Sequence, residues 1–98
     1  MTFVLNFTDE AISQLKVLKS DRGLLKHFKA ASECLKKLEQ NPRHPGLQTH
    51  EYSSLRGPSG EKVFEAYAQN HTPGAYRVFW CYGPGKGEIT ILSIVHHP

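Results

Sequence analysis

The polar and apolar positions of the chain change period partway along it. Residues 3–7, FVLNF, form a short apolar run with the character of a strand. From there to residue 40 the apolar positions recur at helical spacing. Ile12, Leu15 and Leu18 make one stripe and predict a helix over about 9–19. Thr8 offers a hydroxyl to the free amides of its first turn, and Asp9 and Glu10 suit the positive end of its dipole. Asp21, Arg22 and Gly23 interrupt the pattern. Leu24, Leu25, Phe28, Ala31, Leu35 and Leu38 then form a second stripe, with Lys26, Lys29, Lys36 and Lys37 mainly off it. Asn41-Pro42 stops this helix near Gln40, because the residue before a proline is pushed out of the helical region.

The segment NPRHPGLQTH, 41–50, has no period and reads as loop. Beyond it the period is two. Residues 51–56 predict a short strand with Leu55 as its core candidate, and Gly57 to Gly60 turn the chain. Lys62 to Ala68 predicts a second strand and Asn70 to Gly74 a second turn. AYRVFWCY, 75–82, has the strongest strand pattern: Tyr76, Val78, Trp80 and Tyr82 share one face, and Arg77, Phe79 and Cys81 the other. After a glycine-rich turn at 83–87, Glu88 to Val95 is apolar on both faces and belongs inside a sheet. Turns this short make the late strands antiparallel.

Two short helices cannot bury their apolar sides unaided, so they need the sheet. The expected architecture is α+β: an N-terminal strand and a two-helix hairpin packed on one face of a small antiparallel sheet, in one domain over 1–98. The other face is expected to stay open and to carry the function. If Tyr76, Val78 and Trp80 face the helices, Arg77 faces the open side, but so does Phe79. The opposite assignment buries Arg77, which is costly without a partner.

Composition changes this picture little. A formal charge of +3 and a pI of about 9.0 permit binding to a polyanion without requiring it. Cys34 and Cys81 match no metal spacing, and each sits in an apolar pattern, as small buried residues of a reducing compartment do. The start, MTFVLNFTDE, has no basic stretch before an apolar run too short for a signal peptide or a membrane span. The expectation is a cytoplasmic protein with no membrane partner. No dense His/Cys/Asp cluster suggests a metal, and no cofactor is expected. GPGKG at 83–87 lacks the spacing and the following helix of a phosphate loop, so it is a turn.

Leu35-x-x-Leu38 in the second helix, LRG at 55–57, YRVFW at 76–80 and ILSIVHH at 91–97 occur in an order, and over nearly the whole chain, that resembles the RelE/ParE family of bacterial toxins of toxin–antitoxin systems. The resemblance implies a metal-independent endoribonuclease that cuts messenger RNA, usually on the ribosome, and is neutralised by a cognate antitoxin. It places Arg77 at the family's strand arginine and His97, or with a shift of one residue His96, near the C-terminal histidine or tyrosine of the nuclease members. ParE-like members share the fold and inhibit DNA gyrase instead. The chain departs from the nuclease pattern at KVFEAYA, 62–68, where Glu65 and Tyr67 stand and no arginine does, and in ending on Pro98 rather than an aromatic residue.

Cleavage of RNA without a metal needs a base for the 2′-hydroxyl, a cation for the charge that builds on phosphorus and an acid for the leaving oxygen. Arg77 is the candidate cation, since a guanidinium presents a rigid fork of donors to phosphate; its alternative is a cross-strand pair with Glu65 that only holds the sheet. Glu65 is a candidate base. His96 and His97 alternate in direction, Ile94 sharing a side with His96 and Val95 with His97, so only one faces the cleft. Tyr67 offers a stacking face to a base. Arg43 and His50, at the loop, and Arg56 and Lys62, beside the 57–60 turn, are candidate RNA contacts. Two other readings remain: a toxin-like binder without nuclease chemistry, of the gyrase-inhibitor type, and an inactive scaffold that keeps only partner binding.

Overall fold

The computed structural model describes residues 2–70 and 74–96. Its elements are β1 (Val4–Phe7), α1 (Asp9–Ser20), α2 (Leu25–Gln40), β2 (His50–Arg56), β3 (Lys62–Tyr67), β4 (Tyr76–Tyr82) and β5 (Glu88–His96), with 3₁₀ turns at Arg22–Leu24 and Pro45–Leu47. The strands form one sheet in the order β1-β5-β4-β3-β2. The late strands pair antiparallel as expected, while β1 lies parallel to β5 at the far edge.

Local chemistry explains the helix ends. Thr8 caps α1, its hydroxyl accepting from the Ala11 N–H at 3.1 Å. The Asp21 carboxylate accepts from the Gly23 N–H at 2.8 Å and shapes the 3₁₀ turn between the helices. α2 therefore starts at Leu25, which sits at its exposed end instead of in the core, while Ala31, Cys34, Leu35 and Leu38 are buried. These side chains and Ala11 and Leu18 of α1 close over Val78, Trp80, Ile89, Ile91 and Ile94. Both helices thus cover the face that holds the even positions of β4, and Arg77, Phe79 and Cys81 point the other way.

β5 carries an extra residue. Phe79 pairs with Ser93 but Trp80 with Ile91, which leaves Leu92 as a bulge. Helix α1 takes up the backbone groups that the bulge disturbs: the Thr8 hydroxyl donates to the Leu92 carbonyl at 2.8 Å, and Gln14 Oε1 accepts from the Ile94 N–H at 2.7 Å. The bulge reverses the alternation, so Ile91 and Ile94 both face the helices, and Ser93 and Val95 face away.

The second face is not open across its width, contrary to the simplest expectation. β2 pairs with β3 at its two ends and shifts register between Glu51 and Arg56. Its middle arches over the outer face, where the Tyr52 ring meets Phe79 edge-on at 4.9 Å between centroids. Phe79, Val63 and Cys81 are consequently buried on the side expected to be exposed. Leu55 is the corresponding miss: it is 44% exposed and lines an outer groove of about 460 Å³ with Tyr52, Phe79 and Val95.

Both cysteines are free and buried. Burial pushes the Cys34 thiol from its ordinary 9.0 up to about 12, against a smaller opposing effect of Lys37, and burial followed by the Glu61 charge raises Cys81. At pH 8 both are expected to react with a chromogenic disulfide only as fast as the fold opens, and at once in denaturant; rapid labelling of two thiols in the native protein contradicts this burial. For Cys34 the unfolded chain loses its proton near 9.0 and the folded chain only near 12, so its contribution to stability is present below 9.0 and is lost as pH rises through that interval.

Candidate functional site

On the outer face, strand register and the start of β2 bring four candidate residues together. Tyr67 pairs directly with Arg77, Glu65 lies one step along β3 on the same face, and His50 pairs with Glu65 from the edge strand. His50 Nε2 is 2.7 Å from Glu65 Oε1. Arg77 Nε is 3.7 Å from Glu65 Oε2, close enough for an ion pair and too far for a hydrogen bond. The guanidinium carbon sits 3.7 Å from the centre of the Tyr67 ring. Arg77 Nη1 donates to the Gln69 carbonyl at 2.6 Å and to the Tyr76 carbonyl at 3.3 Å.

The exposures differ in a way that matters. Glu65 is 3% and Arg77 9% exposed, whereas the His50 side chain is 48% exposed. The buried carboxylate and guanidinium form a charged base for an imidazole that reaches solvent. The other ring nitrogen of His50, Nδ1, is 3.2 Å from the Gln48 carbonyl. Both nitrogens of His50 therefore face acceptor oxygens, and a neutral ring, which has one N–H, satisfies only one of them. With the Nε2 proton given to Glu65, Nδ1 of the neutral ring is the unprotonated nitrogen, and a second proton placed there would be held by the Gln48 carbonyl.

The remaining candidates lie elsewhere. His96 pairs with Tyr76, its ring 6.1 Å from the Tyr76 ring, on the side of the helices. The bulge at Leu92 turns it that way, away from Glu65 and Arg77, although His96 also lines the outer groove with Tyr52, Phe79, Ser93 and Val95. His97 lies outside the described residues, as does most of the turn expected at 70–74. Arg56 and Lys62 pair with each other at the exposed end of the β2–β3 hairpin, with Lys62 Nζ 4.0 Å from Glu51. Arg43 is exposed in the loop after α2. Among the described residues no group of three or more His, Cys, Asp or Glu is arranged to hold a metal ion.

Two partners of the site carried no sequence signal. Gln69 supplies the carbonyl that takes Arg77, and its side-chain oxygen accepts from the Tyr76 N–H at 3.1 Å and meets His27 Nδ1 at 2.8 Å. Tyr52 covers Phe79. Both contacts span a turn or a strand shift, and neither residue stands in a motif.

No family model and no curated protein matches the chain. Solved structures do. An archaeal RelE–RelB complex from Pyrococcus horikoshii OT3 matches with a TM-score of 0.64 at 18% identity, over 98% of this chain and 96% of that one. A YoeB/ParE toxin from Agrobacterium tumefaciens matches with a TM-score of 0.69 at 7% identity, over 97% and 99%. The chain has the RelE/ParE toxin fold. A YoeB dimer from Staphylococcus aureus, with a TM-score of 0.63 at 18% identity, covers both chains completely. The RelE/ParE fold thus extends over the whole chain, helical hairpin and five-stranded sheet included, and the sequence expectation of that architecture holds. None of the described helices is long and apolar enough to cross a membrane.

Proposed function

We propose that the chain is the toxin of a toxin–antitoxin pair and that it cuts messenger RNA without a metal, at the outer sheet face around His50, Glu65 and Arg77. The observation that carries the reading is the 2.7 Å contact between a half-exposed imidazole and a buried carboxylate, backed by a guanidinium. Proton transfer and positive charge then meet at one place, as phosphodiester cleavage requires and simple binding does not. Glu65 fixes the ring of His50, and Nδ1 takes the 2′-hydroxyl proton. Arg77 acts mainly through its charge, strengthened by low-dielectric surroundings, since it is 9% exposed and its Nη1 is committed to the Gln69 and Tyr76 carbonyls. Tyr67 offers an aromatic face beside it. The acid role is assigned to His97, the position that the family resemblance gives to the C-terminal histidine. Arg43, Arg56 and Lys62, which lie away from this centre, supply phosphate contacts farther along the strand.

The solved complex of RelE with RelB supports an antitoxin as the partner. The ribosome as the site of cleavage and the cytoplasm as the compartment belong to the same reading. A second reading, a binder without nuclease chemistry, draws on one observation: Glu65 and Arg77 are nearly inaccessible and already paired, as a purely structural ion pair would be. A YoeB/ParE toxin among the matching structures fits either reading.

Induction of the wild-type chain in a bacterial host, followed by mapping of new 5′ ends on cellular transcripts, separates the two. Growth arrest with new RNA ends is expected. Arrest without new ends removes the nuclease and leaves the binder.

A further inference from the structure

A second site lies on the opposite side of the β2 edge from the His50–Glu65 contact. The loop between α2 and β2 stands off the sheet and encloses a cavity of about 450 Å³. Three rings of the sheet line it: Phe64 stacks on Trp80 with centroids 5.0 Å apart, and Tyr82 meets Trp80 edge-on at 4.9 Å. Trp80 is sealed beneath, but Tyr82 is 39% exposed and offers ring surface. Arg43 and His44 form the rim, and Glu51 is the acidic residue among the lining groups.

The loop is built rather than loose. Leu47 anchors it in the core with no exposed surface. The Gly46 N–H donates to His44 Nδ1 at 2.9 Å, and the Arg43 N–H to Asn41 Oδ1 at 3.0 Å. Because His44 Nδ1 accepts, the proton of the neutral ring sits on Nε2, which becomes a donor away from that contact. The cavity therefore combines an aromatic floor, two cationic or donor groups at its rim and one carboxylate that can accept from an exocyclic amine.

We propose that this cavity holds a nucleobase of single-stranded RNA, stacked on Tyr82 and backed by Phe64 and Trp80, with Arg43 and His44 on the adjoining phosphate. The assignment rests on the reading of RNA as the substrate and gives that substrate a second point of attachment. Unstacked bases are held by aromatic faces beside basic groups, and every base has a face to offer, so the site binds without strict sequence choice. His50 joins the two sites. It stands at the edge of the cavity, while its ring reaches Glu65 on the other face. A strand whose phosphate is at His50 can place a neighbouring base in the cavity. The indole N–H of Trp80 has no hydrogen-bond partner among the described residues, but it is covered, so stacking is the contact assigned here.

Trp80 is the one tryptophan of the chain and reports on the cavity directly. The test is a fluorescence titration with a short 2′-O-methyl RNA, which lacks the hydroxyl needed for cleavage. A saturable change in Trp80 emission is expected. Tyr82→Ala should weaken binding about tenfold, the loss of one stacked base. Arg43→Ala should weaken it and lower the dependence on salt by about one ion. Both residues are exposed, and a circular dichroism spectrum checks that each variant folds. Equal affinity in wild type and both variants, or no binding of the oligonucleotide, overturns the proposal. Cleavage of ordinary RNA is scored separately: binding that depends on Tyr82 and Arg43 with no cleavage supports the cavity and removes the nuclease, and cleavage with affinity unchanged in both variants does the reverse.

Discussion

Arg77→Ala is expected to lose about 3–5 kcal/mol of folding stability, because it breaks a buried ion pair on the central strand of the sheet. The guanidinium is 9% exposed and is the cation beside a carboxylate that is 3% exposed. Removing it leaves the Glu65 charge without its guanidinium in a site that water reaches poorly, and the Gln69 carbonyl loses the donor at 2.6 Å, while the Tyr76 carbonyl keeps the N–H groups of Ala68 and Gln69. A domain of this size holds only about 5–15 kcal/mol in total, so the variant should unfold at a much lower urea concentration. Arg77→Lys keeps the charge and loses the fork, and should fall between. If the cost comes from the stranded carboxylate, Glu65→Gln in the Arg77→Met background should recover part of it, because two neutral groups need no compensating charge. An unfolding midpoint for Arg77→Ala within error of wild type would mean that the pair contributes nothing, and that Glu65 finds other compensation. The same experiment guards the functional assay, since a loss of cleavage in an unfolded Arg77→Ala protein says nothing about chemistry.

That pair also shows what the sequence made legible and what it hid. The alternation of Tyr76, Val78 and Trp80 with Arg77 and Phe79 is local, and it separated the two faces of β4 correctly, while the choice of which one the helices cover came from the structure. Cross-strand pairing of Arg77 with Glu65 followed from the same alternation on the neighbouring strand, and it occurs on the outer face. The arch of β2 did not follow. It depends on a register shift between Glu51 and Arg56, which no period in that segment announces, and it is why Phe79 is covered and Leu55 is not. His96 is the clearest case. Counting along β5 from Ile89 in steps of two puts Ser93 and Val95 under the helices and His96 outside. The bulge at Leu92 inverts this, and its signal is long-range: the groups that stabilise it are Thr8 and Gln14, more than 75 residues earlier in the chain. His50 read as an RNA contact just before a strand, near enough to reach the sheet face, and its contact with Glu65 exists only once two strands have paired.

His50→Gln is expected to reduce RNA cleavage by about 10²–10⁴-fold while leaving the urea midpoint nearly unchanged. Glutamine is chosen over alanine for a physical reason. Its amide can still donate to Glu65 Oε1, so the buried carboxylate keeps a partner, but it neither takes up nor gives away a proton at ordinary pH. The substitution therefore removes proton transfer and spares most of the contact now at 2.7 Å. The side chain is about half exposed, so little packing is lost. The result divides the two readings of the site more sharply than Arg77 can. A structural role for the cluster predicts that His50→Gln is silent in every assay, since the ion pair behind it remains. A catalytic role predicts a stable protein that still binds RNA and no longer cuts it. Cleavage at the wild-type rate by a folded His50→Gln protein would remove His50 from the mechanism and return the proton transfer to Glu65 or His97. In that case Glu65, sealed at 3% exposure beneath the histidine, would have to reach the 2′-hydroxyl through a water, and the exposed imidazole would be no more than its cover.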